Sequence, residues 1–166
     1  SVRLRWQLIR EFANQTDYIE RRDNLASTQV SNRVRDIGSF TVVTDWSYRP
    51  EQALEIGFKF GMGSATNFDT TEASLNDQSI RLVYSIAEQG QARIEFTREE
   101  VTLNRPVSSL PFELTNGKAY GKTWLWNASG EYKFTKVIQG SLTYNGRSEG
   151  QHDVVHTVRA EVRAFF

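Results

Sequence analysis

The side chains with the clearest chemical potential in this sequence are His152, Asp153 and His156, which lie close together near its end. A histidine next to a carboxylate can serve as a general base if a nucleophile or a water molecule lies within hydrogen-bond reach. The spacing supplies no such partner, so His152 and Asp153 are candidates only for a site at the rim of the fold. On a strand, His152 and His156 would face the same way but lie about 13 Å apart, too far to share a metal ion. We therefore expect no enzyme, no metal site and no cofactor.

The charge and cysteine content exclude other kinds of chemistry. The 166 residues carry 20 basic and 20 acidic side chains, which gives a formal net charge of zero. A protein held on nucleic acid by a basic surface would carry a positive excess, so we expect no nucleic-acid partner. The chain has no cysteine, which removes disulfide scaffolds, thiol nucleophiles and zinc-cysteine sites.

Apolar and polar residues alternate with a period of two through nearly the whole chain. This period is typical of β-strands whose two faces meet different surroundings. One segment shows it clearly, with apolar side chains at Leu54, Ile56, Phe58, Phe60 and Met62. The pattern predicts an all-β fold with eight strands, at about residues 1–17, 28–49, 51–64, 74–88, 90–104, 121–135, 137–147 and 152–166.

The predicted connections alternate between short and long. Three are tight, at residues 49–52, 88–91 and 135–137. Four are longer, at residues 17–27, 64–73, 104–121 and 146–151, and they contain Asn, Asp, Gly, Ser and Pro. Short turns at one end and long loops at the other are typical of an antiparallel up-and-down barrel in an outer membrane. The first strand would begin, and the last would end, on the short-turn side.

The polar face of these strands is charged. It carries basic and acidic residues that could pair across neighbouring strands inside a lumen. A solvated outer face of a lipocalin-type barrel, with its apolar face inside, is the alternative. The predicted lumen-lining residues are Arg3, Arg5, Glu11, Arg33, Arg35, Asp45, Glu55, Lys59, Arg81, Arg93, Glu95, Glu131, Lys133, Arg159, Glu161 and Arg163.

The apolar face carries large aromatic residues towards both ends of the strands, with aliphatic and small residues between them. Two aromatic girdles around a lipid-facing band have this arrangement, whereas a soluble core would have it only by chance. The predicted lipid-facing and girdle residues are Trp6, Trp46, Tyr48, Phe58, Phe60, Trp124, Trp126, Tyr132 and Phe134.

The last strand carries the most specific signal. It ends in the outward apolar series Val158, Ala160, Val162, Ala164 and Phe166. It resembles the C-terminal strand of bacterial outer-membrane β-barrel proteins, in which a final aromatic residue closes an alternating strand. The resemblance extends loosely over all the hairpin-linked segments. It implies that these five residues are the assembly signal read by the barrel-assembly machinery.

The longest connection, residues 104–121, is unusually apolar for an exposed loop. It contains Val107, Leu110, Pro111, Phe112 and Leu114. Such a loop would fold into the mouth of a barrel, pack against a partner, or pack against itself. These alternatives remain open from the sequence.

Together these features predict a single domain over residues 1–166, an antiparallel transmembrane β-barrel of the Gram-negative outer membrane. It would serve as a membrane anchor, a structural element or a pore component, with outer-membrane lipid, the assembly machinery and other envelope proteins as partners. The alternatives are a soluble lipocalin-like ligand-binding barrel and an outer-membrane enzyme with His152 and Asp153 at its rim. The chain opens directly in a strand at Ser1, without a signal peptide. We expect either a mature barrel or the C-terminal part of a larger one.

Overall fold

The structure is a computed structural model of the chain. It describes residues 2–9, 12–26, 34–67, 71–86, 88–104, 112–115, 117–150 and 152–165. Nine β-strands and one short helix make up this part of the chain. The elements are β1 (Val2–Ile9), β2 (Phe12–Ala26), β3 (Val34–Glu51), β4 (Leu54–Asn67), β5 (Glu72–Ile86), β6 (Gly90–Leu103), α1 (Phe112–Thr115), β7 (Gly121–Lys133), β8 (Ile138–Glu149) and β9 (Val155–Ala164).

The nine strands form one sheet in sequence order, and each strand is antiparallel to its neighbours. The all-β, up-and-down prediction is therefore confirmed. The strand ends Ile9, Glu51, Ile86 and Lys133 lie at one end of the sheet, which we call the turn end. The strand ends Ala26, Asn67, Leu103 and Glu149 lie at the opposite end, the loop end. In the described residues β1 and β9 are not hydrogen-bonded to each other, so the sheet is open.

The prediction of eight strands is wrong, because the segment expected as one strand at 1–17 contains β1 and the first part of β2, which form a hairpin. The long connection expected at 17–27 is also wrong, because β2 continues to Ala26. β1 pairs with β2 from Val2 opposite Tyr18 to Gln7 opposite Ala13. An even-numbered residue faces an even-numbered one in this register, so the alternation continues through the hairpin without a break. Gly and Pro, the strongest turn signals, are also absent between Ile9 and Phe12. As a result β1 begins at the loop end, not at the turn end as expected.

The same parity holds across the whole sheet. Apart from two irregular pairs beside turns, Ile9 with Phe12 and Glu51 with Leu54, every register pair joins two even-numbered or two odd-numbered residues. Side chains on a strand alternate between the two sides of a sheet. One side of this sheet therefore carries the even-numbered residues and the other the odd-numbered ones. We call them the even face and the odd face.

The buried core is small and lies at the loop end. Leu114 of α1 packs on Ala65 of β4 and Ala73 of β5, with Leu103 of β6 beside them. All three strand residues belong to the odd face, so α1 covers that face. No helix in the described part of the chain is long and apolar enough to cross a membrane.

Candidate functional site

The turn-end part of β4, β5 and β6 has its apolar side chains on the exposed face. We call residues 54–62, 79–86 and 90–97 the inverted region. On its even face Ile80 is 56% exposed and Leu82 40%, although both are large aliphatic residues. Their even-face neighbours Phe58, Ile94 and Phe96 are exposed as well. Burial of such side chains normally drives folding in water, so this face is suited to an apolar environment.

The odd face of the inverted region carries a charged network that is better sheltered. Arg81 of β5 lies across β4 and reaches Glu55 (Nη2 to Oε1, 3.4 Å) and Asp45 of β3 (Nη2 to Oδ1, 3.8 Å). Gly57 makes this path possible, because a Cβ there would lie 3.0 Å from Nε and Nη2 of Arg81. Arg49 completes the group with a 2.6 Å ion pair to Glu55.

A second charged group lies on the other side of Arg81. Glu95 of β6, which pairs with Arg81 in the register, accepts hydrogen bonds from Arg93 (2.5 Å) and from the buried Ser79 (3.2 Å). Charged side chains from β3, β4, β5 and β6 are thus compensated across neighbouring strands, which reduces the cost of partly removing them from water.

The predicted lumen-lining residues share this odd face wherever they are described. Arg3, which is bonded to Asp17 at 2.6 Å, lies at one edge of the sheet. Arg163 and Glu161 form a 2.7 Å ion pair at the other edge. The remaining members at odd-numbered strand positions are Arg5, Asp45, Glu55, Lys59, Arg81, Arg93, Glu95, Glu131, Lys133 and Arg159. Glu11 and Arg33 lie outside the described residues, as does the side chain of Arg35 in β3.

The predicted girdle residues lie on the even face. Tyr132 and Phe134 are in edge-to-face contact at 5.3 Å near the turn end. Trp124 contacts Phe96 at 5.3 Å nearer the loop end. The other described members at even positions are Trp46, Tyr48, Phe58, Phe60 and Trp126. Phe58 and Phe60 lie in the middle of the apolar stretch of β4 rather than at its ends, and the side chain of Trp6 lies outside the description.

A hydrogen-bonded aromatic cluster spans β7, β8 and β9 on the even face. Trp126 donates from Nε1 to the Tyr144 hydroxyl at 3.1 Å, and that hydroxyl lies 2.9 Å from Nδ1 of His156. The His156 ring stacks on Tyr144 with an interplanar angle of 9°. Trp126 occupies the space above Gly146, where any Cβ would overlap the indole. His156 is therefore part of an aromatic stack with Tyr144 and Trp126.

Three polar side chains interrupt the apolar even face at β2 and β3. Asn14, only 2% exposed, donates from Nδ2 to the Thr44 hydroxyl at 2.8 Å. The Thr16 hydroxyl donates to the Asn14 carbonyl oxygen at 3.1 Å. Because these groups satisfy one another, their cost in an apolar setting is reduced.

The loop-end part of the same three strands has the opposite polarity. We call residues 63–66, 72–78, 98–103, 112–115 and 118 the cap. The part of its odd face farthest from the turn end is apolar and buried, with Ala73 at 1% exposure and Val101 at 0%, and Leu114 of α1, also at 0%, packs there. Nearer the inverted region the odd face of the cap carries Asp77 and Glu99. Its even face is polar, and consists of Ser64, Thr66, Glu72, Ser74, Asn76, Gln78, Arg98, Glu100 and Thr102. The pairing of β4, β5 and β6 is regular through this change, so no bulge turns the side chains over.

Lys118 fixes the long β6–β7 connection to the odd face. Its ammonium group forms an ion pair with Asp77 and a second one, at 3.2 Å, with Glu99. Asp77 and Glu99 are direct cross-strand partners. Of the alternatives for this loop, its described residues show packing onto the sheet through Leu114 and Lys118; Val107, Leu110 and Pro111 lie outside the described residues.

The reversed polarity of the cap was not predicted, although the sequence contains a signal for it. In β5 the apolar residues change from odd-numbered Ala73 and Leu75 to even-numbered Ile80 and Leu82. In β6 they change from Phe96 to Val101 and Leu103. A change of phase without a turn indicates that the strand passes between two environments.

The candidate rim residues and the predicted assembly signal lie at opposite ends of β9. His152 and Asp153 are exposed before the strand begins, and no cluster of metal ligands exists in the described ranges. Val158, Ala160 and Val162 are exposed on the even face of β9. Ala164 ends β9 on the same face, and Phe166 lies outside the described residues.

Comparison of the chain with models of protein families, with curated proteins and with solved structures finds no match.

Proposed function

We propose that this chain forms a membrane-spanning β-sheet of an outer-membrane β-barrel in a Gram-negative-type bacterium, acting as an anchor or pore component. The observation that carries the proposal is the reversal of face polarity between the inverted region and the cap. In the cap, apolar residues pack under α1 and polar residues face outwards, which is the arrangement expected in water. In the inverted region the apolar residues face outwards and the charges lie on the sheltered face. A strand that leaves lipid and enters water has this pattern.

The dimensions support the proposal. The apolar stretch on the even face of β4 extends from Leu54 to Met62, and that of β3 extends from Phe40 to Tyr48 with Thr44 as its one polar member. Each spans nine residues, and a tilted transmembrane strand needs about 9–11 residues. Trp124 lies where the two regions meet, with the Arg98 guanidinium 5.8 Å from its ring. Tryptophan and arginine together are typical of the membrane–water interface.

The soluble lipocalin-like alternative makes a different prediction for the same residues. It requires the apolar even face to enclose a cavity and the charged odd face to meet water. The exposure of Phe58, Ile80 and Leu82 and the shelter of Ser79 and Gly57 favour the membrane assignment instead.

A single-cysteine scan along β5 tests the proposal, because these 166 residues contain no competing thiol. Each position from Ser74 to Tyr84 would carry an environment-sensitive fluorophore in the protein reconstituted in lipid vesicles. We expect lipid-soluble quenchers to reach positions 80, 82 and 84, and water-soluble quenchers to reach 81 and 83. At positions 74 and 76 water-soluble quenchers should dominate.

Two results would contradict the proposal. One is aqueous quenching at positions 80, 82 and 84. The other is a folded, monodisperse protein in buffer without detergent. Planar-bilayer conductance of the same preparation then separates a pore component from an anchor.

A further inference from the structure

A row of small residues leaves a depression in the odd face of β2, β3 and β4. Ala13, Ser47 and Gly57 are successive cross-strand partners in this row. The next row towards the loop end carries the longer side chains of Gln15 and Lys59. A cavity of about 350 Å³ lies over Ala13 and Ser47. We call this depression the trough.

Two arginines from different strands line the trough. Arg81 of β5 is the register partner of Gly57 and extends across that residue towards β3. Arg5 of β1 lies on the other side and donates from Nη2 to the amide oxygen of Gln15 at 2.7 Å. The guanidinium group carries five N–H donors in a planar fork, which fits the oxygen atoms of a carboxylate or a phosphate group.

The carboxylates near Arg81 are shared with other cations. Arg81 donates to Glu55 in a long hydrogen bond of 3.4 Å, whereas Arg49 forms an ion pair with the same carboxylate at 2.6 Å. Asp45 lies 3.8 Å from Arg81, beyond hydrogen-bond distance, and its register partner is Lys59. The guanidinium of Arg81 therefore retains donors for a further acceptor.

The charge of Arg5 is compensated even less. Its hydrogen bond goes to the neutral amide of Gln15, and the carboxylate of Asp17 is bonded to Arg3 at 2.6 Å. Within the described ranges no carboxylate lies at ion-pair distance from Arg5. The cavity is thus lined by two guanidinium groups and by one carboxylate, that of Asp45, so its charge is suited to an anion.

We propose that the trough binds the carboxylate or phosphate group of a small dissolved molecule, with Arg5 and Arg81 as the groups that hold it. The Ser47 hydroxyl and the Gln15 amide also line the cavity and can form hydrogen bonds with polar groups of the same molecule. The volume lies near the lower limit of small-molecule sites, which is about 300 Å³. It corresponds to a small organic anion rather than to a macromolecule.

This inference goes beyond the proposed function and does not depend on it. The trough opens on the odd face, which the membrane assignment turns towards a lumen and the soluble alternative turns towards water. A dissolved anion can reach the trough in both arrangements. Absence of anion binding would leave the membrane assignment unchanged, and aqueous quenching at positions 80, 82 and 84 would leave the anion site unchanged.

Calorimetric titration of the folded protein in a non-ionic detergent tests the site. The probes are inorganic phosphate and succinate, and sodium chloride keeps the ionic strength constant so that general screening does not vary. We expect saturable binding of at least one of the two probes. Tighter binding of phosphate identifies a phosphorylated ligand, and tighter binding of succinate identifies a carboxylate ligand.

Matched variants separate a site from the general field of the odd face. Arg5→Gln and Arg81→Gln should each weaken binding about tenfold or more, because each removes charged hydrogen bonds. Arg159→Gln removes the same charge from the odd face of β9, where the side chain is 79% exposed, and should change the affinity less than about twofold. Ala13→Leu leaves the charge unchanged but fills the floor of the trough, so it should also weaken binding.

Three results overturn the inference. They are the absence of saturable binding of both probes, an equal loss of affinity in Arg5→Gln and Arg159→Gln, and unchanged affinity in Ala13→Leu. Because Arg81 also contacts Glu55, its variant is compared only if circular dichroism shows the native fold. Arg5 is exposed on the first strand and bonded to a neutral amide, so Arg5→Gln decides the question if Arg81→Gln does not fold.

Discussion

The inverted region and the cap are built from the same three strands, yet they expose opposite faces. Leu82 and Leu75 both lie on β5, seven residues apart. Leu82 is 40% exposed on the even face, whereas Leu75 is 8% exposed on the odd face. The register of β5 with β4 and β6 is uninterrupted between them. The difference therefore comes from the surroundings of each region and not from the backbone.

The polarity of a face is therefore a local property of a strand. The cap has an element to bury its apolar face, because α1 places Leu114 on Ala65 and Ala73. The inverted region has no such cover among the described residues, and its charged face is instead compensated by cross-strand pairs. A strand that crosses from lipid into water needs both arrangements in series.

The largest expected effect comes from a charge on the even face of the inverted region. In the reconstituted protein we expect Leu82→Arg to lower the free energy of unfolding by about 2–4 kcal/mol, because the guanidinium would face lipid. The matched control is Ser74→Arg, on the exposed even face of the cap in the same strand. It should change stability by less than about 0.5 kcal/mol. Equal effects of the two variants in urea titrations would remove the distinction between the regions.

The next effect concerns the core of the cap. We expect Leu114→Ala to weaken the packing of α1 by about 2–3 kcal/mol, since it removes a fully buried side chain. Faster amide exchange in residues 112–120, with unchanged exchange in β7–β9, is the expected measurement. Leu142→Ala, at a 55% exposed position on the even face, is the control and should leave exchange in this segment unchanged. The same response to both variants would show that α1 is not held by Leu114.

A smaller effect is expected at Lys118. Lys118→Met leaves the carboxylates of Asp77 and Glu99 opposite each other without a cation, and like charges on facing residues are destabilising. We expect a loss of about 1 kcal/mol in the stability of the cap, measured by limited proteolysis of the β6–β7 connection. Lys118→Arg should retain most of the stability. Addition of Asp77→Asn to Lys118→Met should recover part of it, and no recovery would argue against electrostatic repulsion as the cause.

The smallest effect is expected at the turn end. Arg49 is paired with Glu55 at 2.6 Å, but its side chain is 64% exposed. Because exposed ion pairs contribute little, Arg49→Ala should change the free energy of unfolding by less than about 0.5 kcal/mol. A loss of more than about 1 kcal/mol in the same urea titration would show that Arg49 supports the sheltered network of Glu55 and Arg81.

The all-β fold, the antiparallel order and the set of residues on each face could be predicted from the sequence alone. Period-two alternation and turn residues are local, so they can be read without the tertiary structure. The hairpin between β1 and β2 was not predicted, because the pairing of Gln7 with Ala13 joins two odd-numbered residues and leaves the alternation uninterrupted. A turn that does not interrupt the alternation and contains neither Gly nor Pro cannot be recognised from the local sequence.

The tertiary contacts were needed to show which face of each strand is sheltered and where the sheltered face changes. Alternation shows that the two faces of a strand differ in polarity. The pattern is the same whichever of the two faces is buried. The contacts that break this symmetry come from residues far apart in sequence, such as Leu114 on Ala65 and Lys118 on Asp77. The parallel direction of β1 and β9 likewise became visible only when all nine strands were counted in the sheet.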